Sequence, residues 1–492
     1  MPRPIALSKT RFTTGLQCHK QLWLKVHEPD AEELVVDEVQ QHTFDTGTRV
    51  GELARSYLGP GTLIEAEYWN KSAKVQQTAE AMKNGAERIF EASFEHQGVF
   101  AAVDGLERVG GAFRLVEVKS STKLKDEHLP DIAVQRWVLD GAGVRVSEAQ
   151  LMHLNGKCVA PKLDDLFVRT SATEESDALL PTVGPEVRRQ LEMLAGPEPE
   201  VPIGDHCTSP YDCPFIDRCW KDVPRHHVGT LMNLHHTKEK HFRDNGIVTI
   251  HDIPSDFKLT DRQEVQRAAV LRGEMTVDRP ALRAALAAYD VDRIAYLDFE
   301  TVGEAVPVWD GCHPYEQIPV QMSCHVATRD GTLTHHAWIA SGPEDPRPAC
   351  ARAVVEACAG ADIVVVWHAS MEKGCLERLA VGAPALKEEL ADVIARLTDL
   401  EVAYRAALYH PDFLGSYSLK PVVNTLLPPE DAYGNLPVNE GMLASVRLHK
   451  LMFAPDTVSN AERARWRQEL LDYCGHDTLV MVKLLALLRT MA

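Results

Sequence analysis

The hydrophobic and polar positions of the 492-residue chain fall into three stretches with different patterns. The first alternates short apolar runs with polar turns and ends in a cysteine-rich segment. The second is polar with helical spacing, and the third alternates apolar strands with helical segments, as α/β domains do. We therefore predict three parts, residues 1–222, 223–290 and 291–492, of which the middle part is a helical connector and the third part is an α/β domain.

A pair of β-rich runs joined by a Gly-Gly turn predicts a hairpin over residues 98–122. Asp104 lies on its first strand, and Glu117 and Lys119 lie two positions apart on its second. Since alternate residues of a strand share a face, we expect these three side chains to converge. Two carboxylates and the Val118 carbonyl suit a hard divalent cation, and a lysine there would orient an attacking water. The alternative is an exposed hairpin with ordinary surface charges.

A second group of acidic residues begins in the strand "IAYLDFET", where Asp298 and Glu300 share one face. Buried like charges repel one another, so such a pair indicates a cation. Near the C-terminus a helical pattern places Tyr473 and Asp477 four residues apart, on one face. Between these segments Glu372 follows the end of a β-rich run, where sites form in α/β sheets. The alternative is an α/β domain with incidental acids.

Three cysteines recur at equal spacing in "HCTSPYDCPFIDRCW", residues 206–220. Disulfides, a zinc site, an iron–sulfur site and unrelated core thiols are the alternatives for this segment. The chain has 11 cysteines, an odd number, and its first residues are too polar for a secretory signal. We therefore predict a cytoplasmic protein with reduced thiols. The cysteines predicted to be core thiols are Cys158, Cys312, Cys324, Cys350, Cys358, Cys375 and Cys474.

Charge and hydropathy narrow the class of protein further. The formal net charge of −19 is unlike that of proteins that coat nucleic acids, which are usually basic. It is compatible with a nuclease, because metal-binding carboxylates are acidic and a basic groove can lie on an acidic body. No apolar run approaches the length of a membrane span, so we expect no membrane partner.

The segments "VDGL…LVEVKSST" and "LPDIAVQRW" resemble the core of the RecB-like PD-(D/E)XK nucleases, with Gln135 at the position of their Gln motif. The resemblance implies catalytic roles for Asp104, Glu117, Lys119 and Gln135. Many members of this branch hold a 4Fe-4S cluster through one N-terminal and three C-terminal cysteines. The cluster ligands implied here are Cys18, Cys207, Cys213 and Cys219, and a zinc site of the same four thiolates is the alternative. The chain departs from the family at Gly51, which occupies the position of a metal-assisting His, and in its cysteine spacing.

The acidic residues of the third stretch resemble the Tyr-containing subclass of the DEDD exonucleases, which have the RNase H-like fold. The matching residues, in motif order, are Asp298 and Glu300, then His368 and Glu372, then Tyr473 and Asp477. His368 and Glu372 replace the usual Asn and Asp. The resemblance implies four carboxylates that bind two metal ions and a tyrosine that positions water. We expect Asp399 to be a surface helix charge, with an acid in the outer shell of the metal site as the alternative. We expect Tyr417 and Lys420 to belong to a turn, with contact of both residues with substrate as the alternative.

Taken together, the chain resembles a bacterial family that fuses a RecB-like iron–sulfur nuclease to a DEDDy-type exonuclease. The implied fold is α/β throughout, with a restriction-endonuclease-like domain, a helical connector with a helix-hairpin-helix-like turn, and an RNase H-like domain. The implied activity is Mg²⁺- or Mn²⁺-dependent hydrolysis of DNA, single-stranded or at ends, with RNA as an alternative substrate. DNA repair or defence against phages and mobile elements is the implied setting, with a helicase or defence complex as partner. The alternative function is a nucleic-acid-binding or scaffolding subunit with one or both sites degenerate.

Overall fold

The computed structural model describes residues 6–67 and 69–492. These residues form 17 α-helices and 14 β-strands, and the strands belong to sheets of seven, five and two strands. The predicted α/β class is therefore confirmed. The chain divides into two compact units, and the first of them runs to Asp222 and includes Glu304–Val308 and Cys312–Tyr315. Residues 223–290, predicted as a connector, lie in the second unit.

The first unit contains seven strands and seven helices. Its strands are β1 (Leu7–Ser8), β2 (Thr62–Leu63), β3 (Arg88–His96), β4 (Val99–Val109), β5 (Ala112–Lys119), β6 (Val146–Leu154) and β7 (Phe167–Ser171). Its helices are α1 (Lys9–Gln17), α2 (His19–His27), α3 (Glu38–Leu58), α4 (Lys71–Lys83), α5 (His128–Gly141), α6 (Thr173–Leu194) and α7 (Ile216–Trp220).

The second unit contains the remaining strands and helices of the described chain. Its strands are β8 (Thr276–Val277), β9 (Arg293–Val302), β10 (Ile318–Thr328), β11 (Leu333–Ile339), β12 (Ile363–Val366), β13 (Leu397–Asp399) and β14 (Leu408–Tyr409). Its helices are α8 (His236–Asp244), α9 (Asp261–Arg272), α10 (Arg279–Leu286), α11 (Arg347–Ala357), α12 (Ala369–Gly382), α13 (Lys387–Ala395), α14 (Leu400–Ala407), α15 (Leu419–Leu426), α16 (Gly441–Phe453) and α17 (Asn460–Met491).

The sheet of the first unit has the strand order β2-β3-β4-β5-β6-β7, with β1 parallel to β4. Strands β4 and β5 form the predicted hairpin, and Gly110 takes the positive φ of +58° that its tight turn requires. Gly105 pairs with Val116, so Asp104 and Glu117 lie directly opposite each other on one face of the hairpin. Helix α5 then connects β5 to the parallel strand β6 and buries apolar side chains against the sheet.

The larger sheet of the second unit has the order β11-β10-β9-β12-β13. Strands β9, β10 and β11 are antiparallel neighbours, whereas β12 is parallel to both β9 and β13. The predicted strand "RIAYLDFETV" is β9, at the centre of this sheet, and Leu297 and Ala295 are fully buried in the core. Helix α17 packs along β9 and β10. Among the described residues, no helix has the length and apolar character needed to cross a membrane.

Gly415 lies in a tight turn of the second unit with φ of +83°, and a Cβ there would approach the backbone oxygen of Thr230 to 2.1 Å. We expect Gly415→Ala to lower the free energy of unfolding by about 2–4 kcal/mol, because strained backbone and overpacking both contribute. The control is Gly434→Ala, where a Cβ would meet no atom within 4 Å. Thermal denaturation measures the difference, and equal melting temperatures for the two variants would contradict the prediction.

Candidate functional sites

The first candidate site lies on the β4–β5 hairpin, and its centre is the carboxylate of Glu117, of which 1% is exposed. Lys119 places its Nζ 2.8 Å from Glu117 Oε1, as expected for residues two apart on a strand. Asp104 accepts a hydrogen bond of 2.7 Å from the Val118 backbone N–H at its Oδ2. The predicted convergence of the two carboxylates and the lysine is therefore present.

Two further elements bring side chains to Glu117. From α5, Gln135 donates through its Nε2 to Glu117 Oε2 at 2.8 Å, and Asp131 accepts from Lys119 Nζ at 2.7 Å. From the first residue of α1, Lys9 Nζ donates to both oxygens of Glu117, at 2.9 and 3.1 Å. Sequence reasoning found Gln135 but missed Lys9 and Asp131. Asp131 lies four residues before Gln135, on the same helix face, so helical spacing would have indicated it.

The charges of this site oppose the effect of burial. Burial would raise the pKa of Glu117, but the ammonium groups of Lys119 and Lys9 outweigh it and hold the pKa well below its usual range. At Asp104, burial and the charge of Glu117 outweigh the charge of Lys9 and raise the pKa to about 7. Gly51, at the position of the family's metal-assisting His, has open space around it: a Cβ there would meet no atom within 4 Å.

The second candidate site lies on β9, in the second unit. One ligand atom from each of Asp298, Glu300 and Cys474 lies within 4.8 Å of those of the other two. Among the described residues, this is the group of at least three His, Cys, Asp or Glu side chains that is close enough to hold a metal ion. The Cys474 thiol donates to Asp298 Oδ2 at 3.5 Å. Cys474 is buried, as expected of a core thiol, but its contact with the carboxylate was not foreseen. No spacing rule points to it, because it simply follows Tyr473.

Two more carboxylates approach this pair from helices. Glu372 lies in the first turn of α12 and Asp477 lies in α17, and both are buried. The charge of Asp298 acts on both of these carboxyls, and Asp477 also acts on Glu300. The four predicted carboxylates of the second site are therefore electrostatic neighbours.

Burial dominates the titration of these four carboxyls. It raises the pKa of Asp298 to about 7 and, with the charge of Asp298, that of Glu372 to about 9. Burial and neighbouring carboxylates raise the pKa of Glu300 and Asp477 well above their usual values. Glu372 Oε2 is also buried with no hydrogen-bond partner among the described residues. Carboxylates so placed fit a divalent cation, because a cation supplies the missing charge and accepts the unused lone pairs.

Two tyrosines and a lysine surround the acidic cluster. The hydroxyl of Tyr433 donates to Asp477 Oδ1, and burial with the charge of Asp477 raises the pKa of both Tyr433 and Tyr473. Lys420 lies 5.7 Å from the centroid of the Tyr433 ring, and its charge acts on Glu300 and Asp477. Sequence reasoning missed Tyr433, which is 44 residues from Asp477 along the chain and shares no motif with it.

Three predicted residues have other surroundings. His368 begins α12 with φ of +73° and contacts Glu401 Oε2 at 3.1 Å. The expectation that Asp399 is a surface helix charge is wrong: it caps α14 through the Glu401 N–H and also accepts from the Ala369 N–H. It thereby holds the start of the helix that carries Glu372. Tyr417 is buried in the core, and its hydroxyl donates to the Leu408 carbonyl at 2.6 Å.

A third candidate site is a cavity of the first unit lined by Cys18, Cys207, Cys213 and Cys219. Cys18 ends α1 and begins α2, about 190 residues before the other three. Burial raises the pKa of Cys18 and Cys213, so these thiols do not ionise readily without a cation. The sequence prediction that Cys18 approaches the C-terminal cysteines of the unit agrees with this geometry.

Comparison with known proteins adds one partial match. Residues 295–418 match the model of a family described as a domain of unknown function (DUF2779). No curated protein matches the chain. The matched segment is about a quarter of the chain; it includes Asp298 and Glu372 but ends before Tyr473 and Asp477. The match therefore covers part of the acidic cluster and leaves its function open.

The raised pKa values predict how metal ions affect stability. Each carboxyl of the acidic cluster has a higher pKa in the folded than in the unfolded chain, so the folded state retains protons that the unfolded state has lost. The metal-free protein should therefore lose stability as the pH rises from about 4 through 7, the value for Asp298, to about 9, the value for Glu372. A divalent cation binds the ionised form, so Mg²⁺ should raise the melting temperature more at high pH.

Differential scanning fluorimetry with Mg²⁺ and with a chelator, at about pH 6 and pH 8.5, measures this effect. We expect Mg²⁺ to raise the melting temperature by roughly 5 °C at the higher pH and by less at the lower. The matched control is Asp298→Asn with Glu372→Gln, which keeps the shapes, removes the charges and leaves Asp104 unchanged. A shift of the same size in this control would contradict a cation site at the acidic cluster.

Proposed function

We propose that the protein is a metal-dependent nuclease that hydrolyses phosphodiester bonds of DNA at the acidic cluster of its second unit. The observation that carries the proposal is a group of four carboxyls with raised pKa values, of which Glu300, Glu372 and Asp477 are buried and Asp298 is half-buried. Strongly perturbed pKa values cluster at functional sites, where carboxylates are brought together to bind cations or to transfer protons. Divalent ions bound there would neutralise charge on the phosphate and lower the pKa of the attacking water.

The side chains around the metal ions would position the metal ligands, donate hydrogen bonds and attract the substrate. The carboxylates of Asp298 and Glu300 point from one strand and are held apart by its pleat, which fixes their spacing. The Tyr433 hydroxyl orients the Asp477 carboxylate by donating to it. Tyr473 keeps its proton at neutral pH and is therefore a hydrogen-bond donor for a water or phosphate oxygen. Lys420 supplies positive charge beside a site that must attract a polyanion.

The topology of both units supports the proposal. Three antiparallel strands followed by two parallel strands, with helices in the crossovers, is an arrangement shared with RNase H-like domains. The first unit has an antiparallel β3–β4–β5 meander, a crossover helix and a parallel strand, as restriction-endonuclease-like domains do. The convergence of Asp104, Glu117, Lys119 and Gln135 adds a second nuclease site of the RecB-like kind to the proposal.

For the cysteine cavity we propose a 4Fe-4S cluster held by its four thiolates. A tetrahedral zinc ion with Zn–S bonds of about 2.3 Å holds its sulfur ligands roughly 3.8 Å apart. Among the residues that the structure describes, no three of these cysteines bring their Sγ atoms within 4.8 Å of one another. The resemblance to the iron–sulfur members of the RecB-like nucleases supports a four-iron cluster at this cavity, and a zinc ion held by the same four thiolates is the alternative.

Single-stranded DNA or DNA ends are the proposed substrates, in repair or in defence against phages and mobile elements. RNA is the alternative polymer, and a helicase or a defence complex is the proposed partner. A nucleic-acid-binding or scaffolding subunit without activity is the alternative function. End-labelled DNA and RNA oligonucleotides, assayed with Mg²⁺ and with Mn²⁺, distinguish these alternatives.

The nuclease proposal is tested best in a Lys119→Ala background, where the first site cannot mask the second. We expect Asp298→Ala to lower the rate there by about 10²–10³-fold or more, because a carboxylate that stabilises the transition-state charge is lost. Tyr473→Phe removes only a hydroxyl and should cost about 10–10²-fold. Glu389→Gln, an exposed residue of α13, is the control. No cleavage of any substrate in the background protein would favour the binding-subunit alternative.

The cluster proposal makes a separate prediction. Protein purified without oxygen should be brown and absorb broadly in the visible region, and Cys18→Ser should bleach it as fully as Cys213→Ser, because every thiolate is a ligand. Cys158→Ser, in the same unit but outside the cavity, is the control and should keep the colour. Colourless protein that contains one zinc per chain would contradict the cluster and leave the nuclease proposal intact.

A further inference from the structure

Lys9 is held firmly against the carboxylate of Glu117. Its preceding residues, Leu7 and Ser8, form β1 and pair in parallel with β4, and Leu7 is fully buried. The Ser8 hydroxyl accepts from the Arg11 N–H and begins α1, so the backbone on both sides of Lys9 is fixed. The ammonium group of Lys9 is therefore a built part of the site and not a mobile surface charge.

The hydrogen bonds to Glu117 leave no room for a metal ion. An ionised carboxylate has two oxygens with about four lone-pair positions. Lys9 donates to both oxygens, Gln135 donates to Oε2, and the ammonium group of Lys119 lies 2.8 Å from Oε1 as an ion pair, so each oxygen already has two such neighbours. A hard divalent cation needs a lone pair of this carboxylate. As it stands, the first site does not fit a metal ion unless one of these donors leaves.

The balance of charge leads to the same conclusion. Three carboxylates, those of Asp104, Glu117 and Asp131, face two ammonium groups, those of Lys9 and Lys119. With Asp104 ionised the group carries one net negative charge, so a divalent cation would overcompensate that charge while Lys9 remains and would balance it once Lys9 has left. Of the three side chains that contact Glu117, Lys9 is the one that we expect to leave, because Lys119 and Gln135 belong to the nuclease motif and Lys9 lies outside it.

We propose that Lys9 is a resident cation that closes the first site to divalent metal ions, and that the site binds a metal ion only when Lys9 leaves Glu117. This inference rests on the proposed nuclease function of the first unit and adds regulation to it. We call this role of Lys9 a latch: while Lys9 contacts Glu117, the first site binds no metal ion and is an inactive nuclease. The acidic cluster of the second unit, in contrast, is open to cations.

Metal binding without any nucleic acid tests the latch. The background is the full-length chain with Asp298→Asn and Asp477→Asn, which removes the second site. In it, Mn²⁺ affinity is measured by electron paramagnetic resonance of free Mn²⁺. We expect Lys9→Met, which keeps the length of the side chain and removes its charge, to bind Mn²⁺ at least tenfold more tightly than the background protein. Lys157→Met, an exposed lysine of the same unit, should leave the affinity unchanged.

Two further variants keep the test decisive. Glu117→Gln added to Lys9→Met should abolish the gained affinity, since the carboxylate itself is the ligand. Lys9→Gln, which keeps a donor to Glu117, shows the same gain to a smaller degree if Lys9→Met is unstable. Equal or weaker Mn²⁺ binding in both Lys9 variants would overturn the latch, because Lys9 would then support the site. Tighter binding by a protein that cleaves nothing would support the latch and contradict the nuclease proposal.

Discussion

A buried carboxylate costs free energy unless positive charge or a proton accompanies it, and both large sheets of this protein bury carboxylates. Around Glu117 the chain supplies that charge itself, through Lys9 and Lys119 at hydrogen-bond distance. Around Asp298 the nearest described groups are a thiol and other carboxyls, which retain protons instead. The same electrostatic requirement is therefore met by fixed ammonium groups in one unit and by exchangeable protons or cations in the other.

This contrast explains how the two sites differ in rigidity. Each bond from an ammonium group to Glu117 fixes both partners, so the first site is already ordered by its own contacts. In the acidic cluster the carboxyls repel one another once they ionise, and they are held together by the pleat of β9, by packing from α12 and α17 and by the hydrogen bond from Tyr433 to Asp477. Asp399 contributes to that packing from a distance, because it fixes the backbone at the start of α12.

Local patterns predicted the parts of both sites that lie within one strand or helix. Alternation along β9 and helical spacing in α17 identified the carboxylates, because each period is a property of a single element. Lys9 and Tyr433 escaped prediction since they reach their carboxylates from 108 and 44 residues away, and only the fold brings them there. Asp399 was misjudged because a capping residue and a surface acid look alike in sequence. The fold class followed from the alternation of strands and helices.

The cysteine cavity has a consequence for biosynthesis. Cys18 leaves the ribosome about 190 residues before Cys207, which at ordinary rates of translation corresponds to roughly 10–40 s. The side chain of Gln17, next to Cys18, donates to the backbone carbonyls of His206 and Tyr211. The position of Cys18 in the cavity therefore depends on the C-terminal part of the first unit, which contains these two residues. The proposed cluster could be inserted only after that part has been made. Until then Cys18 is exposed to oxidants and stray metals in every newly synthesised chain.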